Sequence, residues 1–124
     1  MLQIMIIGLG GFFGAIFRYL ISGWTYQLFG TRLPYGTLAV NIIGSFILGL
    51  FLTLVNERIV VSDALRGFIA IGLLGALTTF STFSYETMAL LQDSLFIKAG
   101  FNIFLNVICT LIAVWAGIVV AKII

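Results

Sequence analysis

The chain has 124 residues, 62% hydrophobic and 8% charged, with a formal net charge of +2 and a mean hydropathy of +1.27. A soluble domain carries about a quarter charged residues, so this chain cannot clothe a water-facing surface, and its outside must be lipid. With no histidine and a single cysteine, Cys109, side-chain metal clusters and intrachain disulfides are disfavoured. Cys109 sits in an apolar run and reads as a small buried hydrophobe.

A spanning helix needs roughly 20 mainly apolar residues. Four segments qualify: about Ile4 to Trp24, Tyr35 to Val55, Leu65 to Leu91 and Phe96 to Ala121. The first begins MLQIMIIGLGG, without a basic leader and too long for a cleaved signal peptide, so it is read as a retained span. Tyr19, Trp24, Tyr26 and Tyr35 gather around the first loop, where an interfacial aromatic belt would sit. That loop carries Gly30 and Pro34, the second is NERIVVSD, and the third is QDSLFIK. The shortness of the third makes the last two spans an antiparallel hairpin. The expectation is one all-α membrane domain over residues 1–124, with no repeat and no soluble domain.

In span two, Thr37, Asn41 and Ser45 recur every four residues and so share one helical face. Span four repeats the device with Asn102, Asn106 and Thr110. Polar groups inside a bilayer are costly and are either satisfied or functional. They serve here as packing glue, worth under about 1 kcal/mol per contact, or as a track that replaces part of an ion's hydration. Two such stripes favour the track. Gly10 and Gly14, Gly44, Ser45 and Gly49, and Ala113 and Gly117 are spaced for close helix approach where subunits meet, or reflect only the frequency of glycine in membrane helices.

Span three departs from a simple helix. From Gly72 to Glu86 it reads GLLGALTTFSTFSYE, and serine, threonine and glycine weaken continuous helix. A break between Gly75 and Thr79 would free backbone groups at membrane depth, which is tolerated only where they are buried in protein or line a cavity. Freed carbonyls suit a hard cation, and amide or hydroxyl donors suit an anion. Phe80 and Phe83 share a face beyond the break. They are ordinary packing, or their positive ring edges stabilise an anion in a narrow passage. Arg18, late in span one, snorkels to the interface or draws anions to a vestibule. Glu86 caps the pathway or pairs with a basic neighbour.

Arg58, Arg66 and Lys122 fall on one side of the membrane, against Arg32 and Lys98, joined by Arg18, on the other. With so little bias, the positive-inside rule predicts insertion in both orientations. Dual topology is the natural precursor of an antiparallel homodimer, and a conducting path is easier to build where two subunits meet.

The runs GFFGAIFRY (Gly11 to Tyr19), GTLAVNIIGSF (Gly36 to Phe46) and TTFSTFS (Thr78 to Ser84) resemble the bacterial Fluc fluoride channels, also called CrcB. The resemblance covers the whole chain, with span four its weakest part. It implies a dual-topology antiparallel homodimer in the bacterial inner membrane, with two separate fluoride pores. It implies a structural sodium ion at the dimer centre, held by the backbone carbonyls of Gly75 and Thr78. It carries over Phe80 and Phe83 as pore phenylalanines within a run that includes Ser81 and Thr82. Asn41 becomes a donor on the path, Asn106 and Thr110 the polar track, and Arg18 matches a family position. Fluoride that entered as neutral hydrogen fluoride would leave passively. Partners are then fluoride, a second copy and lipid, with no nucleic acid.

A small multidrug exporter is the first alternative, but such proton-coupled export uses a carboxylate in span one, where this chain has only Arg18. A non-catalytic membrane subunit is the second. An enzyme fits least, since no serine or cysteine has a plausible base.

Overall fold

The computed structural model describes residues 1–124. Helix α1 (Leu2–Phe29) contains no proline and ends at Gly30, whose φ of +82° turns the chain out while its N–H still reaches the Tyr26 carbonyl at 2.9 Å. Helix α2 (Tyr35–Glu57) starts directly after Pro34, where a missing N–H costs nothing, and closes at Arg58. The third span, Asp63–Gln92, is built in pieces: α3 (Asp63–Arg66), a π-helical stretch (Gly67–Leu73), α4 (Leu74–Leu77) and α5 (Phe80–Gln92). Ser62 caps its start by accepting from the Leu65 N–H at 3.2 Å, with Asp63 in the first turn. A turn with Ser94 at φ 59° joins α5 to α6 (Phe96–Ile123), giving the expected hairpin. All four spans are long and apolar enough to cross a membrane. Each contains its sequence-derived segment and runs a little beyond it.

α2 lies along α6, and α1 lies along the first half of the third span. Glycine sets both approaches. A methyl group at Gly117 would collide with the Phe46 carbonyl oxygen, and one at Gly10 with that of Phe68. The small-residue pairs Gly10/Gly14 and Gly49/Gly117 therefore bring helices of one bundle together. The dry core is small: Val40, Leu74 and Leu77 form its centre, with Ile21, Ile47 and Leu48 packed around it. Large apolar side chains such as Phe12, Phe104, Leu111 and Trp115 point outward, as lipid-facing helices require. Tyr19 and Trp24 are exposed at the first interface, but Tyr26 turns in and lays its ring on Gly36.

The break is narrower than the expected Gly75-to-Thr79 zone. Gly75 stays helical, and only Thr78 (φ −81°, ψ 158°) and Thr79 (φ −153°, ψ 118°) are extended. The π-helical stretch before it had no sequence signal. It lies where Gly72 meets the backbone of α1 at Ile7 and Gly10.

Candidate functional site

The break opens beside α2 and α6 into a cleft of about 310 Å³. Asn41, Gly75, Thr78, Phe80, Phe83, Asn106 and Thr110 all line it. Three other candidates do not. Ser81 and Thr82 are exposed on the first turn of α5, and Arg18 lies half-buried on α1.

Asn41 holds the break. Its Oδ1 accepts from the Thr79 N–H at 2.8 Å, and its Nδ2 donates to the Thr79 carbonyl at 3.2 Å. Thr79 in turn caps α5: its Oγ1 accepts from the Thr82 N–H at 3.2 Å and donates to Thr82 Oγ1 at 2.9 Å. These bonds have a consequence for the carbonyls. In an unbroken helix the Thr79 N–H would bond the Gly75 oxygen, and the Thr82 N–H that of Thr78. Both donors are diverted, so neither carbonyl accepts a backbone N–H from its helical partner.

On α6, Asn106 Oδ1 accepts from Asn41 Nδ2 at 3.0 Å, while its own Nδ2 donates to the Asn102 carbonyl at 3.0 Å and Asn102 Oδ1 at 3.1 Å. Thr110 donates to the Asn106 carbonyl. Among the hydroxyls on the cleft, only Ser45 makes no hydrogen bond within the chain; Thr78, Thr79 and Thr110 each donate to a neighbour. The Phe80 and Phe83 rings tilt at 53° with centroids 5.4 Å apart, and they differ in environment. Phe83 is 9% exposed and Phe80 78%.

The α2 stripe divides. Asn41 and Ser45 face the cleft, whereas Thr37 donates to Glu86 Oε1 at 2.8 Å. Glu86 has no basic neighbour, and its Oε2 is buried without a partner. The chain's one ion pair is elsewhere, between Lys122 and Glu57 at 3.8 Å. Sequence reasoning missed Thr87, which is buried and accepts from Asn102 Nδ2 at 2.9 Å. Its only signal was a position four residues beyond Phe83, on the same face of α5.

No three His, Cys, Asp or Glu side chains cluster, so a cation on this site would rest on neutral oxygens of the backbone or of the Asn, Ser and Thr side chains. The freed carbonyls of Gly75 and Thr78 are of that kind and fit sodium. Residues 5–118 match the family model described as CrcB-like protein, Camphor Resistance (CrcB). The chain belongs to the CrcB-like family. Among its CrcB-like relatives, the fluoride-specific ion channel FluC of Methanocaldococcus jannaschii is 55% identical over 119 residues, covering 96% of this chain and 94% of that one. The FluC of Geotalea uraniireducens is 47% identical over 119 residues, covering 96% of each chain. That of Vibrio campbellii is 50% identical over 111 residues, or 90% of this chain and 87% of its own. CrcB-like proteins are thus named as ion channels rather than enzymes, and four spanning helices make this one a multi-pass membrane protein.

Proposed function

We propose that the chain is a fluoride-selective channel through which cytoplasmic fluoride leaves the cell passively. The observation that carries this reading is the single cleft that gathers Asn41, Phe80, Phe83, Asn106 and Thr110 beside a helix break. The names of the relatives support it. Hydrogen fluoride crosses membranes as a neutral acid and dissociates in the less acidic cytoplasm, so the anion accumulates. A leak for that anion alone, driven by the negative-inside potential of the bacterial inner membrane, empties the cell with no catalytic residue and no fuel.

In this reading, fluoride gives up water in steps. Ser45 offers a free hydroxyl, and an anion reaching Asn41 competes with Asn106 Oδ1 for the Nδ2 proton. The edges of Phe80 and Phe83 carry partial positive charge and solvate the ion without the grip of a full cation. Thr110, Ser81, Thr82 and Arg18 complete the approach to the pore. Two chains assemble antiparallel and give two pores. The near-even split of basic residues across the membrane supports this, as does Phe80, which one chain leaves 78% exposed. Gly75 and Thr78 from each copy would hold a central sodium, which supplies fixed positive charge and ties the two broken helices together.

The rival reading, a packing subunit with purely structural polar stripes, gains from the fact that most cleft donors already have partners. Fluoride efflux from liposomes holding only the purified protein decides between them. Rapid efflux with chloride retained is expected. A Phe80→Ile dimer should pass fluoride about ten-fold more slowly or worse, the effect of ~1.4 kcal/mol at the limiting barrier. No efflux from folded wild type would leave the packing subunit as the better account. A terminal tag protected on one membrane face in every molecule would end the dual-topology part.

A further inference from the structure

We infer that Asn102, which lies off the cleft, is a positioning residue for the helix break, acting through Asn106 and Asn41 on Thr79. Only the conduction arm of its test rests on the channel reading.

The argument starts at Thr87. A hydroxyl has one proton, and that of Thr87 goes to the Phe83 carbonyl at 2.8 Å. Toward Asn102 it can therefore only accept, so Asn102 turns its Nδ2 to Thr87 at 2.9 Å. Its Oδ1 then faces α6 and accepts from Asn106 Nδ2 at 3.1 Å. Asn106 is thereby made to present Oδ1 to Asn41, whose Nδ2 donates to it at 3.0 Å. Asn41 is left with Oδ1 for the Thr79 N–H and one Nδ2 proton for the Thr79 carbonyl. Each amide sets the rotation of the next.

The chain of bonds leaves α5 at Phe83, passes through α6 and α2, and returns at Thr79, just before α5 begins. It closes a ring around the first turn of that helix. Thr87 and Asn102 are only 7% and 3% exposed and lie off the cleft, so no water is at hand to replace either of them. A reversed Asn41 would point Nδ2 at the Thr79 N–H, donor against donor. The Thr79 N–H would then lose its acceptor, and the residue that joins α4 to α5 would open more often. Asn102 thus governs the break without touching the cleft.

The test measures amide hydrogen exchange at Thr79 in the full protein in lipid nanodiscs, beside fluoride efflux from liposomes. Asn102→Leu removes the amide, Thr87→Val removes the hydroxyl while keeping the shape, and Thr87→Ser keeps the hydroxyl. Asn102→Leu and Thr87→Val should each exchange Thr79 about ten-fold faster, with α1 amides unchanged and Thr87→Ser like wild type. Efflux should slow in the same two variants, and the double variant should be no worse than either single. Unchanged Thr79 exchange in the folded variants overturns the inference. So does equal acceleration in all helices, which would make Asn102 mere packing. Absence of wild-type efflux would overturn the fluoride reading instead, and the Thr79 exchange would still decide the positioning role.

Discussion

Asn41 and Thr79 pair at two points across the helix break, side-chain amide to backbone amide, at 2.8 and 3.2 Å. One side chain from α2 thereby substitutes for the backbone partners that Thr79 gives up by being extended. Removing it leaves buried backbone groups unpaired, which costs about 1–3 kcal/mol. Asn41→Ala should lower thermal stability by that amount and stop efflux. Asn41→Asp keeps the acceptor for the Thr79 N–H but loses both donors. Its second oxygen then faces the Thr79 carbonyl and Asn106 Oδ1, acceptor against acceptor. It should melt no higher than the alanine variant in detergent, and conduct no better.

Ser45 tests whether a free donor on the cleft matters. Because its hydroxyl bonds nothing within the chain, Ser45→Ala leaves no group unpaired and should shift stability by less than about 0.5 kcal/mol. Efflux should fall several-fold. Equal efflux from the two proteins would remove Ser45 from the pathway.

Thr37 donates to one oxygen of the Glu86 carboxylate, and the other is buried without a partner. Thr37→Val keeps the shape and strips that contact, so stability should drop by about 1–3 kcal/mol. Thr37→Ser should behave as wild type. Restoration of the Thr37→Val melt by Glu86→Gln would show that the unpaired carboxylate, rather than the packing, was at fault.

Gly117 governs the α2–α6 seam that carries Asn41 opposite Asn106. Since the obstacle to a side chain there is the Phe46 carbonyl, which is backbone, Gly117→Val forces the helices apart and should cost at least about 1–3 kcal/mol. Little folded protein is expected by size-exclusion chromatography. Gly23→Ala, with open space around it, serves as the control and should purify normally.

How much of this was legible beforehand depends on how local each feature is. The four spans follow from hydropathy, which each segment carries by itself, and their boundaries moved only by a turn or so. The polar stripes on α2 and α6 follow from four-residue spacing, and the weakness of span three follows from its hydroxyl residues and glycines. Seven of the ten candidate residues that the family resemblance carried over meet on one cleft, whereas the two polar stripes divide, with Asn41, Ser45, Asn106 and Thr110 on it and Thr37 and Asn102 off it.

Other features depend on how one helix is rotated and set in height against another, and no segment encodes that alone. Thr37 and Asn41 share a face by spacing, yet one meets Glu86 and the other Thr79 because α5 begins between their levels. The glycines could have joined subunits, but backbone contacts place them inside the bundle. Thr87 looks like any threonine near a helix end until Asn102 is seen to need an acceptor. The amino-acid sequence determined a lipid-embedded helical bundle with polar stripes and a weak third span, because apolar length and residue spacing are properties of one helix. Only the tertiary structure decided where that helix breaks and which amide holds it open, because a hydrogen bond between helices exists only once their register is set.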